Sequence, residues 1–248
     1  MGTRSEGKSG PATGPRRLSL VSGFELADGA RSVPLSMAHQ RLVALLGLQR
    51  GAITRVRVAA TLWPDRSDRR AGANLRSLLF RFPREGGILE QRTDRLSLAA
   101  DVACDVHEFV AYAHRLLHPE GDGAVTLDLD CVPLTHDLLP GWYDEWVIIE
   151  RERLHQLRLH ALDELCRRLS ASGRHGEAVE AGLASVLAEP LRESGQQCLI
   201  ASFLAEGNPG QARLQYDRYA ALLEEELGCA PSERLRALVG GARTVTRL

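Results

Sequence analysis

The most regular hydrophobic pattern of the first half of the chain lies between residues 62 and 84, in the segment LWPDRSDRRAGANLRSLLFRFPR. At 100° per residue, its apolar residues fall on one side of a helix: Ala71, Leu75, Leu78, Leu79 and Phe82. Ser67 or Asp68 is expected to cap the start, because a short oxygen side chain accepts hydrogen bonds from the first-turn amides. Pro83 is expected to end it, since proline lacks the amide that the next turn needs. The pattern predicts one amphipathic helix.

The opposite side of this predicted helix is rich in arginine. Its outer face holds Arg70, Ala73, Ser77, Phe80 and Arg84, with Asn74, Arg76 and Arg81 at its flanks. In the major groove of DNA, arginine pairs with guanine and asparagine with adenine. We therefore predict base recognition by Arg70, Asn74, Arg76, Ser77, Phe80 and Arg81, where Phe80 either contacts a thymine methyl group or packs sideways against the protein. An ordinary solvent-exposed helix face is the alternative.

Shorter patterns on both sides of this helix are typical of strands. Between residues 18 and 35 apolar positions alternate, with breaks at Gly23 and at Asp28-Gly29, which predicts short antiparallel strands over LSLV, FEL and SVPL. After the helix, ILEQ and RLSL predict a hairpin with a tight turn at residues 92–94.

Two further helices are predicted between these strands and the arginine-rich helix. Ser36 is expected to cap the first, MAHQRLVALLGLQR, and the second runs from about Arg55 to Leu62 and closes on Trp63-Pro64. Strands, three helices and then a hairpin predict a winged helix-turn-helix with an N-terminal sheet. In this fold the third helix enters the major groove and the hairpin reaches the neighbouring DNA backbone.

This arrangement also predicts which side chains contact phosphates. Thr54 and Arg55 start the second helix, where free backbone amides and the helix dipole favour an anion. Arginines near the hairpin turn are expected to reach the backbone. The predicted phosphate contacts are Thr54, Arg55, Arg57, Arg69, Arg92 and Arg95.

The second half has a helical pattern almost throughout. Residues 106–118 predict one amphipathic helix, and a loop of weak periodicity separates it from a long helix that begins near Trp142. The predicted buried residues of this long helix are Trp146, Ile149, Leu154, Leu157, Ala161, Leu165 and Leu169. Leu169, Gly173 and Ala178 then match Phe203, Gly207 and Ala212 at an offset of 34 residues, the tetratricopeptide period. The predicted fold class is therefore mainly α with small β, a winged helix-turn-helix followed by a tetratricopeptide-like all-α domain.

Charge separates the same two halves. Residues 1–104 hold 17 basic against 9 acidic residues, a net charge of +8, whereas residues 105–248 hold 14 against 23, a net charge of −9. A basic half attracts a polyanion and an acidic half is repelled by it, so nucleic acid is expected only at the N-terminal side. We predict a DNA-binding domain over residues 18–104, a helical domain over 105–240, and a flexible tail over 241–248. The Gly-, Ser- and Pro-rich residues 1–17 predict a disordered tail, in which Arg16 and Arg17 add at most weak phosphate contacts.

Motifs of enzyme chemistry are absent from the sequence. The five cysteines are far apart and form no CxxC pair, so neither a zinc site nor a disulfide framework is indicated. There is no Walker A loop, GxGxxG, GxSxG or HExxH motif. His114 and His118 have a spacing that suits a metal, but they lack partners at suitable spacing and are interpreted as surface or packing residues. We predict no enzyme activity, no cofactor and no metal, and a cytoplasmic location without a membrane span.

Six segments, in order over residues 18–240, carry a resemblance to a known family. They are LSLVSGFEL, ATLWPD, ANLRSLLFRF, RLSL with DVHEF, LRESGQQCLIASFLAEGNPGQARLQYDRY, and LLEEELGCAPSERLRAL. The chain resembles the SARP family, antibiotic regulatory proteins of actinomycetes that join an OmpR-type winged helix to a bacterial transcriptional activation domain. The resemblance implies a pathway-specific activator that binds direct repeats near promoters as a dimer. It also implies recruitment of RNA polymerase through the sigma and alpha subunits, and control of a secondary-metabolite gene cluster.

Two features depart from this family. Phe82-Pro83 stands where the family usually continues its third helix with Leu-Arg, so we expect a shorter helix here. The chain also stops soon after the helical domain, as expected of a short member without NTPase and sensor domains. The alternative function is a helical-repeat scaffold that binds a protein and has no specific affinity for DNA.

Overall fold

The computed structural model describes residues 15–83, 87–118, 125–133 and 137–241. These residues fold into two compact units. The first combines Met1–Glu108 with Leu138–Glu150, and the second combines Phe109–Asp137 with Arg151–Leu248. The sequence placed the end of the first domain at residue 104, but the first unit also contains residues beyond that position.

The first sheet of this unit has the strand order β3-β2-β1-β7. Its strands are β1 (Arg16–Ser19), β2 (Glu25–Asp28), β3 (Arg31–Ser32) and β7 (Val102–Cys104). Strand β1 is antiparallel to β2 and parallel to β7. The sequence predicted three N-terminal strands, and three are present in the same order, but β3 shares only Ser32 with the predicted SVPL strand. The sequence pattern did not predict β7, because its three residues are too few to show a period.

Strand β1 begins before the predicted boundary of the N-terminal tail. Arg16 and Arg17 belong to the strand, so the prediction that they lie in a disordered tail is wrong. The Arg16 Nη1 atom lies 3.0 Å from an Asp101 carboxylate oxygen, and the Arg17 Nη2 atom lies 2.7 Å from a Glu108 carboxylate oxygen. Both arginines are paired within the protein, which does not support the weak phosphate contacts suggested for them. Residues 1–14 of the predicted tail lie outside the described residues.

Three helices follow the first strands: α1 (Met37–Leu48), α2 (Arg55–Leu62) and α3 (Asp68–Phe80). Ser36 occupies the predicted N-cap of α1, where its hydroxyl accepts a hydrogen bond from the His39 amide. Leu42, Leu46 and the rest of the buried side of α1 form part of the core. Helices α2 and α3 contact each other extensively, which makes them the helix-turn-helix pair.

The second sheet contains the predicted hairpin. Strand β5 (Leu89–Gln91) pairs antiparallel with β6 (Arg95–Leu98), and residues 92–94 form the turn between them, as predicted. Strand β4 (Ile53–Thr54), which the sequence pattern did not predict, pairs with the other edge of β6. The hairpin, called the wing below, is therefore attached to the residues that lead into α2.

The second unit is built from helices. They are α4 (Asp105–Leu117), the short 3-10 helix Leu129–Cys131, α5 (Glu145–Ala171), α6 (His175–Ala188), α7 (Glu193–Ala205), α8 (Pro209–Leu227) and α9 (Glu233–Gly241). Helices α4 and α5 each begin in the first unit and end in the second. A buried carboxylate, Asp163, ties α5 to the α6–α7 pair. It accepts hydrogen bonds from the Ser185 and Ser194 hydroxyls at 2.8 Å and pairs with Arg192 at 2.9 Å.

The predicted 34-residue repeat is present in the backbone. Gly173 and Gly207 both have positive φ angles, 79° and 86°. The amide of the following residue donates to a carbonyl five residues back in each copy, from Arg174 to Leu169 at 3.0 Å and from Asn208 to Phe203 at 2.8 Å. Ala178 and Ala212 are both fully buried. The two copies thus share one turn geometry, in which glycine ends one helix and a small residue packs in the next.

Helix α5 departs from the prediction at its start. It begins at Glu145 rather than near Trp142, after Leu139 and Gly141 with positive φ angles. Leu154, Ala161, Leu165 and Leu169 are buried as predicted, whereas Trp146 and Leu157 are half-buried. Ile149 is 60% exposed, so the prediction that it is buried is wrong, and Val147 is buried instead. The buried side shifts because residues 145–150 pack in the first unit and the rest of the helix in the second, so one periodicity does not describe both stretches.

Candidate nucleic-acid interface

The predicted division of α3 into two faces is confirmed. Ala71, Leu75 and Leu78 are between 1% and 5% exposed and hold the helix against the core of the first unit. All six side chains predicted to recognise bases are exposed: Arg70, Asn74, Arg76, Ser77, Phe80 and Arg81. Phe80 is 80% exposed, which excludes the alternative in which it packs sideways against the protein. Arg84, the last residue of the predicted outer face, lies outside the described residues.

Helix α3 is shorter than the segment that suggested it. It spans 13 residues from Asp68, and Ser67 occupies the N-cap position without a side-chain hydrogen bond. The residues before Ser67 form the end of α2 and the turn, in which the Arg66 amide donates to the Trp63 carbonyl at 3.1 Å. The helix ends at Phe80 rather than at Pro83, because a residue that precedes proline is disfavoured in helical conformation and the last turn breaks up before it. This agrees with the shorter third helix expected from the sequence.

The exposed side chains of α3 fall into two groups by their partners. Arg81 turns back along the helix, where its Nε and Nη2 atoms donate to the carbonyl and hydroxyl oxygens of Ser77, both at 3.2 Å. Arg70, Asn74 and Arg76, by contrast, have no hydrogen bond or ion pair within the part of the chain that the structure describes. These three side chains are available to a ligand without breaking an internal bond.

The side chains predicted to contact phosphates also fall into two groups, those without a partner among the described residues and those bonded within the protein. Arg57, Arg69 and Arg92 are exposed, and their guanidinium groups have no partner among the described residues. Arg95 donates to the Ala52 carbonyl at 3.2 Å. Arg55 is half-buried and donates to the wing, at the Arg92 carbonyl.

Two amides at the start of α2 are bonded within the protein, whereas the sequence analysis expected free amides there. The Arg55 amide donates to the Asp94 carbonyl at 2.7 Å, and the Arg57 amide donates to the Thr54 hydroxyl at 3.4 Å. The sequence pattern could not show the first bond, because it joins residues that are far apart along the chain. An anion at this helix start would have to be held mainly by side chains.

Two clefts flank α3 on its exposed side. One has a volume of about 320 Å³ and is lined by Val56, Gly72, Arg76 and the turn residue Thr93, among others. The other has a volume of about 460 Å³ and is lined by Arg76, Phe80 and Gln91 among others. Arg76 therefore borders both clefts, between the helix and the wing.

Val56 and Arg66 also lie on exposed surface near α3, and the sequence analysis did not select them. Val56 is 73% exposed, whereas Val58 on the same helix is fully buried. Two residues along a helix correspond to a rotation of about 200°, so this pair of valines already indicated that one of them faces solvent. Arg66 is exposed in the turn between α2 and α3, without a partner in the described ranges.

Neither metal chemistry nor membrane insertion gains support from the structure. Among the described residues, no cluster of His, Cys, Asp and Glu is arranged to hold a metal ion. His114 and His118 stack on each other with ring centroids 6.1 Å apart. In the described ranges no helix combines the length and the apolar character that a membrane span requires.

The first unit is thus a winged helix-turn-helix whose third helix presents arginine and asparagine side chains that are unpaired within the described ranges. The second unit is a set of helical pairs. A model of the bacterial transcriptional activator domain matches residues 104–241. This match covers more than half of the chain. The chain therefore belongs to the bacterial transcriptional activator domain family and is of the SARP type, as the sequence resemblance indicated. The family is one of transcriptional activators.

A solved structure supports the same fold. The chain is similar to Mycobacterium tuberculosis EmbR in complex with a low affinity phosphopeptide, with a TM-score of 0.63 and 20% sequence identity. The similarity covers 94% of this chain and 66% of the EmbR chain. At this identity the likeness shows the fold alone. Comparison with curated proteins gives no match.

Proposed function

We propose that this protein is a sequence-specific DNA-binding activator of transcription, with α3 as its recognition helix. The single observation that carries the proposal is the contrast between the two faces of α3. Leu75 and Leu78 anchor the helix in the core, while Arg70, Asn74 and Arg76 face outward and have no partner among the described residues. In the major groove an arginine donates two hydrogen bonds to a guanine edge, and an asparagine donates one to adenine and accepts one from it.

Phosphate contacts are assigned to exposed arginines on either side of this helix. Arg57 and Arg69 lie on α2 and α3, and Arg92 lies at the turn of the wing. Thr54 and Arg95 lie beside them and complete the set suggested by the sequence, apart from Arg55. Such contacts fix the orientation of the protein on the duplex, and base contacts then specify the sequence.

The quaternary arrangement rests on the family resemblance. We propose that two copies bind direct repeats near a promoter and that the helical domain supports the dimer and contacts RNA polymerase through its sigma and alpha subunits. Control of a secondary-metabolite gene cluster and a cytoplasmic, nucleoid-associated location belong to the same proposal. The net charge of −9 over residues 105–248 supports the division of labour, since an acidic half disfavours DNA and leaves its surface to protein partners.

The proposal is tested by duplex binding over a range of salt concentrations. Footprinting beside the protein's own gene first locates an operator, and binding to that operator is then measured for the full-length chain. Several phosphate contacts make the logarithm of the binding constant fall steeply with the logarithm of salt concentration. We expect Arg76→Ala to weaken binding, whereas Arg218→Ala, which removes an exposed arginine from α8, should not. Absence of duplex binding by the wild-type protein would favour the helical-repeat scaffold instead.

A further inference from the structure

Arg55 holds the turn of the wing at both ends. Its side chain donates from Nε and Nη2 to the Arg92 carbonyl, both at 3.2 Å, and Nη2 lies 3.5 Å from the Gln91 amide oxygen. Its backbone amide donates to the Asp94 carbonyl at 2.7 Å. One residue at the start of α2 thus bonds to the first and the last residue of the turn.

Apart from Arg55, the turn is held among the described residues by the hydrogen bond from the Arg92 amide to the Arg95 carbonyl at 3.0 Å. Strand β4 contributes two residues, and its pairing with β6 ends at Thr54 and Arg95. The ladder between β5 and β6 ends at Gln91 and Leu96, so the turn lies beyond the paired strands. Because the turn extends past the end of both ladders, its order depends on bonds from outside the hairpin as well as on its own closing bond. Hydrogen bonds from a charged donor are stronger than neutral ones, and the Arg55 guanidinium supplies them.

We propose that Arg55 is a positioning residue for DNA binding, which orders the wing turn so that Arg92 can reach a phosphate, and is not itself a phosphate contact. The inference rests on the proposed function, in which Arg92 contacts the DNA backbone. Arg55 is half-buried with its donors directed to Arg92 and Gln91, whereas the Arg92 side chain is exposed without a partner in the described ranges. We therefore assign support of the wing turn to Arg55 and the phosphate contact to Arg92.

Substitution by lysine separates the two roles of Arg55. Lysine keeps the positive charge that a phosphate contact needs, but it lacks the planar set of donors that Arg55 uses on the Arg92 carbonyl. If Arg55 contacted a phosphate, Arg55→Lys would retain the salt dependence of binding. If Arg55 positions the wing, the same variant loses the contribution of Arg92 although no charge is lost.

The first experiment measures operator binding over a range of salt concentrations for full-length protein carrying Arg55→Lys, Arg92→Ala or both. Each lost phosphate contact lowers the salt slope by about one. We expect each single variant to lower the slope by about one, and the double variant to lower it no further. Arg218→Lys is the control for the exchange of arginine for lysine itself, since Arg218 is an exposed arginine of α8 to which no DNA contact is assigned, and its slope should stay at the wild-type value. A wild-type slope for Arg55→Lys would overturn the proposal.

The second experiment needs no DNA and measures hydrogen exchange in the free protein. In Arg55→Lys we expect the Arg92 amide, which donates to the Arg95 carbonyl at 3.0 Å, to exchange about tenfold faster, while amides of α1 keep their protection. Unchanged exchange at Arg92 would contradict the positioning role. Faster exchange together with no duplex binding by the wild-type protein would refute the proposed function and leave the structural role of Arg55 intact.

Discussion

At the residue scale, side chains on the outer face of α3 differ in what they give up to contact DNA. Asn74 and Arg76 are exposed and have no partner in the described part of the chain, so a base edge replaces water alone. Arg81 already donates two hydrogen bonds to Ser77 and must give them up before it reaches a base. We therefore expect Asn74 and Arg76 to contribute more to base recognition than Ser77 and Arg81.

Asn74 gives the most direct test of base recognition. Asn74→Ala should weaken operator binding by about 1–3 kcal/mol and relax the preference at one base pair, because the variant loses the paired donor and acceptor that match adenine. The measurement is the affinity for the operator and for its single-base variants. Arg69→Ala, a phosphate candidate on the same helix, should instead weaken binding to all sequences about equally. Wild-type affinity of Asn74→Ala at every site would show that α3 does not recognise bases.

Phe80 allows a test of a different contact on the same helix. Phe80 is 80% exposed, and contact of this apolar ring with water is unfavourable in the free protein. A thymine methyl group in the major groove offers an apolar surface that would cover the ring. We expect replacement of one operator thymine by uracil to weaken wild-type binding and to leave Phe80→Ala binding unaffected. The measurement is a competition assay with uracil scanned through the operator. Equal effects of every uracil on both proteins would place Phe80 away from thymine.

At the element scale, positions that local geometry controls agree with the sequence prediction. The Ser36 cap of α1, the hairpin turn at residues 92–94 and the two repeat turns lie where the pattern placed them. Elements whose ends depend on distant partners start at other residues than the sequence predicted. Strand β1 starts at Arg16 because β2 and β7 pair with it, and α5 starts at Glu145 after a kinked backbone.

The repeat turns provide a stability test with a matched control. Gly207 has a φ angle of 86°, so Gly207→Ala forces a side chain into a left-handed conformation and should destabilise the protein by about 1 kcal/mol or more. Gly210 lies three residues on, within α8, and a Cβ there would meet no atom within 4 Å. Gly210→Ala should be neutral or stabilising, because alanine has the higher helix propensity. Chemical denaturation of both variants measures the difference. Equal destabilisation by both changes would contradict this account of the turn.

At the scale of the whole molecule, the two units interleave along the sequence. Leu138–Glu150 folds with the first unit, where Leu139 is fully buried and its amide donates to the Leu20 carbonyl at 2.9 Å. The Asp144 carboxylate pairs with Arg41 on α1 in the same unit. A fragment that ends at residue 104 therefore lacks part of the core of its own unit, so the domain boundary suggested by charge is not a suitable end point for a DNA-binding fragment.

The proposed dimer is tested by changing the distance between half-sites. If two copies bind one face of the duplex, insertion of about five base pairs turns one half-site to the opposite face and should abolish cooperative binding, whereas insertion of a full turn of about 10 to 11 base pairs should restore part of it. The measurement is the binding isotherm of the full-length protein on the three operators. Equal binding to all three would show that the copies act independently, and the dimer would have to be abandoned.

The sequence by itself determined the two faces of α3, the turns and the order of the predicted elements. Helical and strand periods depend on backbone geometry alone, so Leu75 and Leu78 could be placed inside and Asn74 outside before any fold was known. The arginine-rich face of α3 and the 34-residue repeat followed from the same local rules.

Only the tertiary structure decided the partner of each exposed side chain. Arg55 and Arg57 are alike in the sequence, yet Arg55 bonds to the wing turn across a separation of 37 residues and Arg57 stays free among the described residues. Arg16 and Arg17 likewise looked like part of a tail until distant strands paired with them. The exposure of Ile149 followed from the packing of residues 145–150 in the first unit. Long-range pairing has no period along the chain, so a pattern of residue types does not contain it.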